Sequence, residues 1–211
     1  MIIPKKNCSL CPRLKKYRDK YKIIEPTWHN SPVESFGNID SNILIVGLAP
    51  GLKGANKTGR PFTGDHAGML LYSSLIKYKL ASGVYGENIN DGLKMVNTRI
   101  TNSVRCVPPN NKPETIEKKH CQKFLASEIN NMKNLKIILA LGTIAHQELL
   151  KVFNIKLSLH KFQHGNIHNI NNNILLFDSY HCSRYNTQTK RLTKEMFEDI
   201  ILSIKKRSKL F

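Results

Sequence analysis

The stretch Ile43–Leu71, ILIVGLAPGLKGANKTGRPFTGDHAGMLL, decides how the whole chain is read. Its first four residues, Ile43–Val46, form an aliphatic run of strand length, apolar enough to be buried. About twenty residues rich in Gly, Pro and Thr follow, and an apolar helix is expected to open near Ala67. A buried strand, a glycine-rich loop and a helix make one β-α unit, and such units bind ligands outside the carboxyl end of the strand. Within five residues this loop offers a stacking surface in Phe62, a base in Asp65 and a donor in His66.

Two plainer readings compete. Gly51-Leu-Lys-Gly-Ala-Asn-Lys57-Thr58 approaches a phosphate-binding loop, but Asn56 stands where that pattern needs glycine. Gly59 and Pro61 also leave no room for the helix such a loop must start. The loop could instead be purely structural, although long ordered loops in compact domains are more often functional.

Toward the amino end, the tight pair Cys8-Ser-Leu-Cys11 precedes Pro12 and a basic helical segment, RLKKYRDKYK. Pro26, Pro32 and Gly37 mark the next stretch as a covering loop. Toward the carboxyl end, Met95–Val104 carries the β-branched residues of a second strand, stopped by Arg105-Cys106-Val107-Pro108-Pro109. Asn102, Val104 and Cys106 then share a face, and a buried Asn102 needs either a backbone partner or a ligand. A helix from Pro113 to about Asn131 bears Cys121, Leu135–Leu141 is a third strand, and Ile144–Val152 a further helix. His160, His164 and His168 read as solvated loop residues, too loosely spaced for a metal site. Ile174–Phe177 is the fourth strand, Ser179–Asn186 a second loop of chemistry-capable side chains, and Thr193–Lys205 the last helix. Repeated β-α units predict an α/β fold, a four-stranded parallel sheet covered on both sides, within one domain spanning residues 1–211.

The chain has 211 residues, with 33 Lys and Arg against 15 Asp and Glu, a formal charge of +18. That surplus is spread along the chain and points to a polyanionic partner, foremost nucleic acid. No stretch reaches the roughly 18 apolar residues of a membrane span, and no apolar signal region opens the chain, so a soluble intracellular protein without a membrane partner is expected. In that setting the cysteines Cys8, Cys11, Cys106, Cys121 and Cys182 are read as metal ligands or buried thiols, not disulfides.

Four separated motifs in order, namely the Cys8–Cys11 pair, GLAPGLKGANKTGRPFTGD, ITNSVRCVPPNNKP and HCSRYN, resemble the iron-sulfur uracil-DNA glycosylases, specifically family 5 or type b. The resemblance runs from Cys8 to about Met196 and implies a three-layer α/β/α fold. It also implies a structural 4Fe-4S cluster held by Cys8, Cys11, Cys106 and Cys121, with zinc as the competing occupant. By the same resemblance Gly47, Leu48 and Ala49 frame the substrate and Phe62 stacks on a flipped base. Asn102 reads the base edge, His181 faces O2 of the leaving base, and Ser183, Arg184, Tyr185 and Asn186, on to Thr187, enter the minor groove.

Two departures stand out. Leu48 occupies a position that is acidic in family 4 and cannot activate water. This leaves Asp65 as the nearest carboxylate for water or an oxocarbenium-like sugar, unless it merely caps the helix near Ala67. Cys182 replaces a common proline and is expected to loosen the insertion loop. The implied activity is that of a monofunctional glycosylase releasing uracil, with hypoxanthine and xanthine as further substrates, to start base excision repair. A non-catalytic, basic nucleic-acid-binding module whose four cysteines hold a metal is the rival. The expected setting is prokaryotic cytoplasm at the nucleoid, as a monomer, with a sliding clamp as candidate partner.

Overall fold

The computed structural model describes residues 1–171 and 174–208. In chain order these form α1 (Pro12–Ile24), β1 (Ile43–Gly47), α2 (Ala55–Thr58), α3 (His66–Lys77), β2 (Ala81–Ser82), β3 (Lys94–Met95), β4 (Thr98–Asn102), α4 (Thr115–Asn131), β5 (Ile137–Leu141), α5 (Thr143–Val152), β6 (Ile167–Asn171), β7 (Ile174–Ser179), α6 (Arg184–Gln188) and α7 (Lys194–Arg207). Among the described residues no helix is long and apolar enough to cross a membrane.

The main sheet has the order β4-β1-β5-β7-β6. Its first four strands are parallel, as the repeated β-α pattern requires, and β6 pairs antiparallel with β7 at the edge. The expected four-stranded parallel sheet therefore gains a fifth strand. Alternate side chains of the buried strands feed two cores. Ile43, Ile45, Ile137 and Leu139 pack with Leu71 and Leu75 of α3 and Phe197 and Ile201 of α7. Leu44, Val46, Ile138 and Ala140 pack with Leu125 and Ile129 of α4 and Leu149 and Leu150 of α5. Two helical layers thus sandwich the sheet, giving the three-layer arrangement.

The helices start where the sequence supplies caps. Asp65 accepts from the Gly68 N–H at 3.0 Å, Thr193 accepts from Met196 N–H, and Glu114 with Glu117 forms a capping box on α4. Lys205, Lys206 and Arg207 end α7, where cations suit the helix dipole.

Register places the site. Gly47 stands opposite Asn102 at the carboxyl ends of β1 and β4, and β5 ends beside Ser179 of β7. Connections leave β1 toward β4 on one side and return to β5 on the other, so the strand order reverses at β1. The crevice outside its carboxyl end is the switch point at which open α/β sheets bind ligands.

Three expectations change. Met95 and Thr98 fall in different sheets because Asn97, at φ +48°, turns the chain between them and fixes that turn by accepting from Asn42 N–H at 2.8 Å. A helical turn does form at Ala55–Thr58, but only one, stopped by Gly59 at φ +84°. Asn56 in that turn is buried and donates to Asn30 Oδ1 at 2.8 Å, so it serves packing instead of a phosphate. The histidine-rich connection is not a solvated loop: it contains β6, and His168 lies 2.9 Å from Asp178 Oδ2 while His164 Nδ1 accepts from Tyr180 N–H.

Candidate active site

At the carboxyl ends of β1 and β4 lies a pocket of about 330 Å³, lined among others by Leu48, Phe62, Asp65, Asn102 and His181. Residues expected from four separate stretches of sequence meet there. Its volume lies in the range of small-molecule sites.

Gly47 makes the convergence possible. A Cβ at this position would stand 2.5 Å from Asn102 Oδ1 and 2.5 Å from Phe62 Cζ, so any larger residue would push both out of the pocket. The carbonyl of Gly47 accepts from Ser103 N–H at 2.9 Å and that of Leu48 from Val104 N–H at 2.9 Å, extending the β1–β4 pairing past the named strand ends. Backbone register, then, aims the Asn102 amide.

Phe62 sits in the left-handed region at φ +53°, which costs a non-glycine residue about 1–2 kcal/mol. Its neighbours hold it there. Tyr72 donates to Pro61 O at 2.6 Å and Tyr85 to Phe62 O at 3.1 Å. Arg60 pairs with both oxygens of Asp91, at 2.9 and 2.6 Å, and lies over the rings of Phe36, Tyr72 and Tyr85. The guanidinium holds the Asp91 carboxyl well below the usual carboxylate range. Gly68 completes the support, since a Cβ there would stand 1.8 Å from Phe62 O.

Asp65 does both things considered for it. Oδ1 caps α3 through Gly68, while Oδ2 faces Gly51 and Gly54, where added Cβ atoms would come within 3.5 and 2.7 Å. Burial pushes its carboxyl above the ordinary value, against the lowering pull of the Gly68 and Ala67 N–H groups. On the opposite wall the His181 ring lies 5.9 Å from that of Phe62, tilted by 31°. Desolvation pushes its imidazole down to about 4, so it is neutral at pH 7 and able to donate one N–H. Asn186 Nδ2 fixes the His181 carbonyl at 2.8 Å, and His66 Nε2 meets Thr187 Oγ1 at 2.9 Å, tying the two loops together. Ser183 caps α6, leaving Arg184 and Tyr185 exposed beside the pocket mouth.

Next to this site the four cysteines expected as ligands come together. Cys11, Cys106 and Cys121 are buried with Leu14, Val104 and Phe124, and Cys8 packs against them. Among the described residues no three of their sulfurs lie within 4.8 Å of one another, wider than the roughly 3.8 Å between thiolates on one tetrahedral zinc. Two buried cations flank them. Arg18 acts on Cys106 and Arg105 on Cys121, and the Nε atoms of both arginines are buried without a partner. Hydrogen bonding from Cys11, aided by Arg105, pulls Cys121 below the ordinary thiol value. Cationic side chains with unspent donors around four thiols suit an anionic thiolate-bound centre.

The sequence matches the model of the uracil DNA glycosylase superfamily over residues 34–205. It is 39% identical over 208 residues to the type-5 uracil-DNA glycosylase of Thermus thermophilus, covering 94% of this chain and 93% of that protein. The chain belongs to the uracil-DNA glycosylase superfamily, in its type-5 group. The type-5 enzyme of Pyrobaculum aerophilum is 33% identical over 199 residues, covering 92% of this chain and 86% of its own. A type-4 uracil-DNA glycosylase of Saccharolobus solfataricus is 29% identical over 181 residues, 82% and 76% of the two chains.

Within this type-5 glycosylase framework, one expectation needs correcting. Cys182 does not loosen a surface loop: it is fully buried in the core that also holds Phe62 and Leu71, and burial pushes its thiol up. Other contributors were not singled out in the sequence. Asn111, in a tight turn after β4, also lines the pocket, and the Arg60–Asp91 pair joins residues 31 apart. Pro50, Gly51 and Ala67, all in or beside the glycine-rich loop, could have been added from their position alone.

Proposed function

We propose that this chain is a monofunctional uracil-DNA glycosylase that takes a flipped uracil into the pocket of Phe62, Asp65, Asn102 and His181 and hydrolyses its N-glycosidic bond. The convergence of these four side chains on one cavity carries the reading. Flipping a base costs a few kcal/mol, and stacking on an aromatic face returns about 1–3 kcal/mol. Phe62 supplies that face. The Asn102 amide pairs one donor and one acceptor with O4 and N3–H of uracil. As the C1′–N1 bond breaks, its electron pair moves onto the base, and the neutral His181 N–H stabilises the charge growing on O2. Asp65 Oδ2 orients water toward C1′ and faces the cationic sugar, while Oδ1 keeps its cap.

Leu48 lines the pocket and cannot activate water, so the reaction leans on stabilising the departing base. Bases that leave readily, including hypoxanthine and xanthine, are therefore further substrates. Cys8, Cys11, Cys106 and Cys121 hold a 4Fe-4S cluster of structural role, supported by their gathering in one buried cluster and by the flanking Arg18 and Arg105. When bound, the cluster fixes α1, α4 and the segment after β4 to one another. The formal charge of +18 draws the chain to the DNA backbone, where Ser183, Arg184, Tyr185 and Asn186 meet the minor groove. The chain acts as one domain and as a monomer.

The test is base release from duplexes carrying a single uracil or hypoxanthine, scored by alkaline cleavage at the abasic site. Cleavage of both strands is expected. Binding without release by protein holding its iron would leave only the rival binding module. Release of uracil alone would restrict the substrate range.

A further inference from the structure

Away from the catalytic pocket, three ligand-type side chains converge from three elements. His146 stands on α5, His168 on edge strand β6 and Asp178 on β7, with ligand atoms all within 4.8 Å of one another. His146 Nδ1 is 2.7 Å from Asp178 Oδ1, and His168 Nε2 is 2.9 Å from Asp178 Oδ2. His146 Nε2 meets the backbone carbonyl of His160 at 2.9 Å. Asp178 and His146 are buried and His168 partly so. The proposed glycosidase chemistry uses none of them.

We propose that His146, His168 and Asp178 form a binding site for a divalent transition-metal ion of the zinc type. Two imidazoles and one carboxylate are a donor set that suits zinc and its neighbours. Around a tetrahedral ion with bonds of about 2.0–2.1 Å, adjacent ligand atoms stand roughly 3.3 Å apart. Each imidazole now meets a different oxygen of Asp178, at 2.7 and 2.9 Å, so the carboxylate turns to offer one oxygen while the ligand atoms, all within 4.8 Å of one another, draw in around the ion. The ring of His146 is already oriented for the task. A carbonyl can only accept, so Nε2 carries the proton toward His160, and Nδ1 is the nitrogen that faces the other ligands. A far-side hydrogen bond to a backbone carbonyl is the usual device that aims a metal-bound imidazole.

Proton balance follows from the same geometry. Without an ion, His146 Nδ1 must also bear a proton to meet the carboxylate, which makes the ring an imidazolium. The ion takes the place of that proton, and the proton on His168 Nε2 moves to Nδ1. Each ion bound therefore releases at least one proton. His146 borders a cavity of about 480 Å³ together with Thr143, Gln147, His160 and Phe162. The ion ties the edge strand and α5 to β7 three residues before His181, so it braces the base of the second active-site loop.

Calorimetric titration of Zn²⁺ into the iron-loaded protein, in two buffers of different ionisation enthalpy, tests this. One ion per chain with proton release is expected. Co²⁺ as probe is expected to show weak visible bands without the intense thiolate charge-transfer absorption that cysteine ligation would give. His168→Asn should weaken Zn²⁺ binding more than about 100-fold, beyond the 10–100-fold that losing a ligand's hydrogen-bond partner costs. Because a variant at this edge strand could misfold, the wild-type chain offers a second readout: Zn²⁺ should move the imidazole nitrogen resonances of His146 and His168. No uptake by the wild type, unchanged imidazole resonances, equal uptake by a folded His168→Asn, or a purely thiolate Co²⁺ spectrum would each overturn the proposal.

Discussion

The loop after β1 and the loop after β7 face the same pocket and are built in opposite ways. From Gly59 to Asp65 the chain is held by Arg60 on Asp91, Tyr72 on Pro61, Tyr85 on Phe62 and Asp65 on its own helix. From Ser183 to Thr189 it is a short helix whose hydrogen bonds are almost all internal, with Tyr185 70% exposed. The first loop must keep Phe62 at a backbone conformation it would not choose, and only a dense set of partners does that. On the proposed function the second meets the DNA surface and forms its contacts there. On that reading position is built in at the wall that carries Phe62, while the wall that carries Arg184 is left to be completed on binding.

The strongest way to break this contrast is to cut the first loop's anchor. Asp91→Ala leaves the buried Arg60 guanidinium unpaired among three aromatic rings, and loss of one partner of a buried pair costs about 3–5 kcal/mol. Stability by denaturant titration should fall by that order. Base release should fall further than the folded fraction accounts for, because Phe62 loses its support. Unchanged activity in the surviving folded protein would mean that Phe62 is held without the anchor.

His181 stands at the root of the second loop, yet on the proposed function it works with the rigid wall. Removing a donor aimed at developing negative charge lowers turnover by about 10²–10³-fold, and His181→Ala should do so with little change in DNA affinity. The pH behaviour has a definite sign. Burial lowers the folded imidazole to about 4 from 6.5, so between those values the unfolded chain binds the proton that the pocket refuses. His181 therefore makes stability fall as pH drops from 6.5 toward 4, and His181→Ala should lose that part of the acid sensitivity. Activity should be insensitive to His181 protonation above about pH 5.

How far the sequence led can be seen in the same two loops. The aliphatic runs of β1 and β5 revealed the sheet because buried parallel strands are apolar throughout. Phe62 and Asp65 were legible as chemistry-bearing residues of the glycine-rich loop after β1, whereas the roles of Asn102 and His181 came from the family resemblance. Edge strand β6, Ile-His-Asn-Ile-Asn, was not legible, since an edge needs little apolar surface and its polar residues mimic a loop. Nor could sequence spacing foretell that His146, His168 and Asp178 would meet, because α5, β6 and β7 bring them together only in the folded chain. Arg60, in the loop before α3, and Asp91, between β2 and β3, escape the sequence for the same reason.

Asp65 sharpens the comparison by separating architecture from chemistry on one side chain. Asn at this position still accepts from Gly68 N–H, and Asn and Asp cap helices about equally well. Burial raises the folded carboxyl above its unfolded value, so its favourable contribution is present at low pH and is lost as pH rises through the folded pKa. The neutral amide escapes that penalty. Asp65→Asn should be at least as stable as the wild type at pH 7 while base release falls about 100-fold, the lower end for a lost general base. Full activity in this variant would reduce Asp65 to a cap and transfer the water-orienting role elsewhere.

The smallest expected effect lies at Arg184, exposed on α6 beside the pocket mouth. Its side chain makes no contribution to the two apolar cores, so Arg184→Ala should change stability by no more than about 0.5 kcal/mol. If the second loop is completed by DNA, the same change should remove one phosphate contact. The slope of log affinity against log salt should then become shallower by about 0.9. Turnover of bound uracil should stay nearly the same, because Arg184 borders the pocket with an exposed side chain while Phe62, Asn102 and His181 hold the base. A large loss of turnover with an unchanged salt slope would reverse the assignment, making the second loop part of the preformed wall and not the surface that DNA completes.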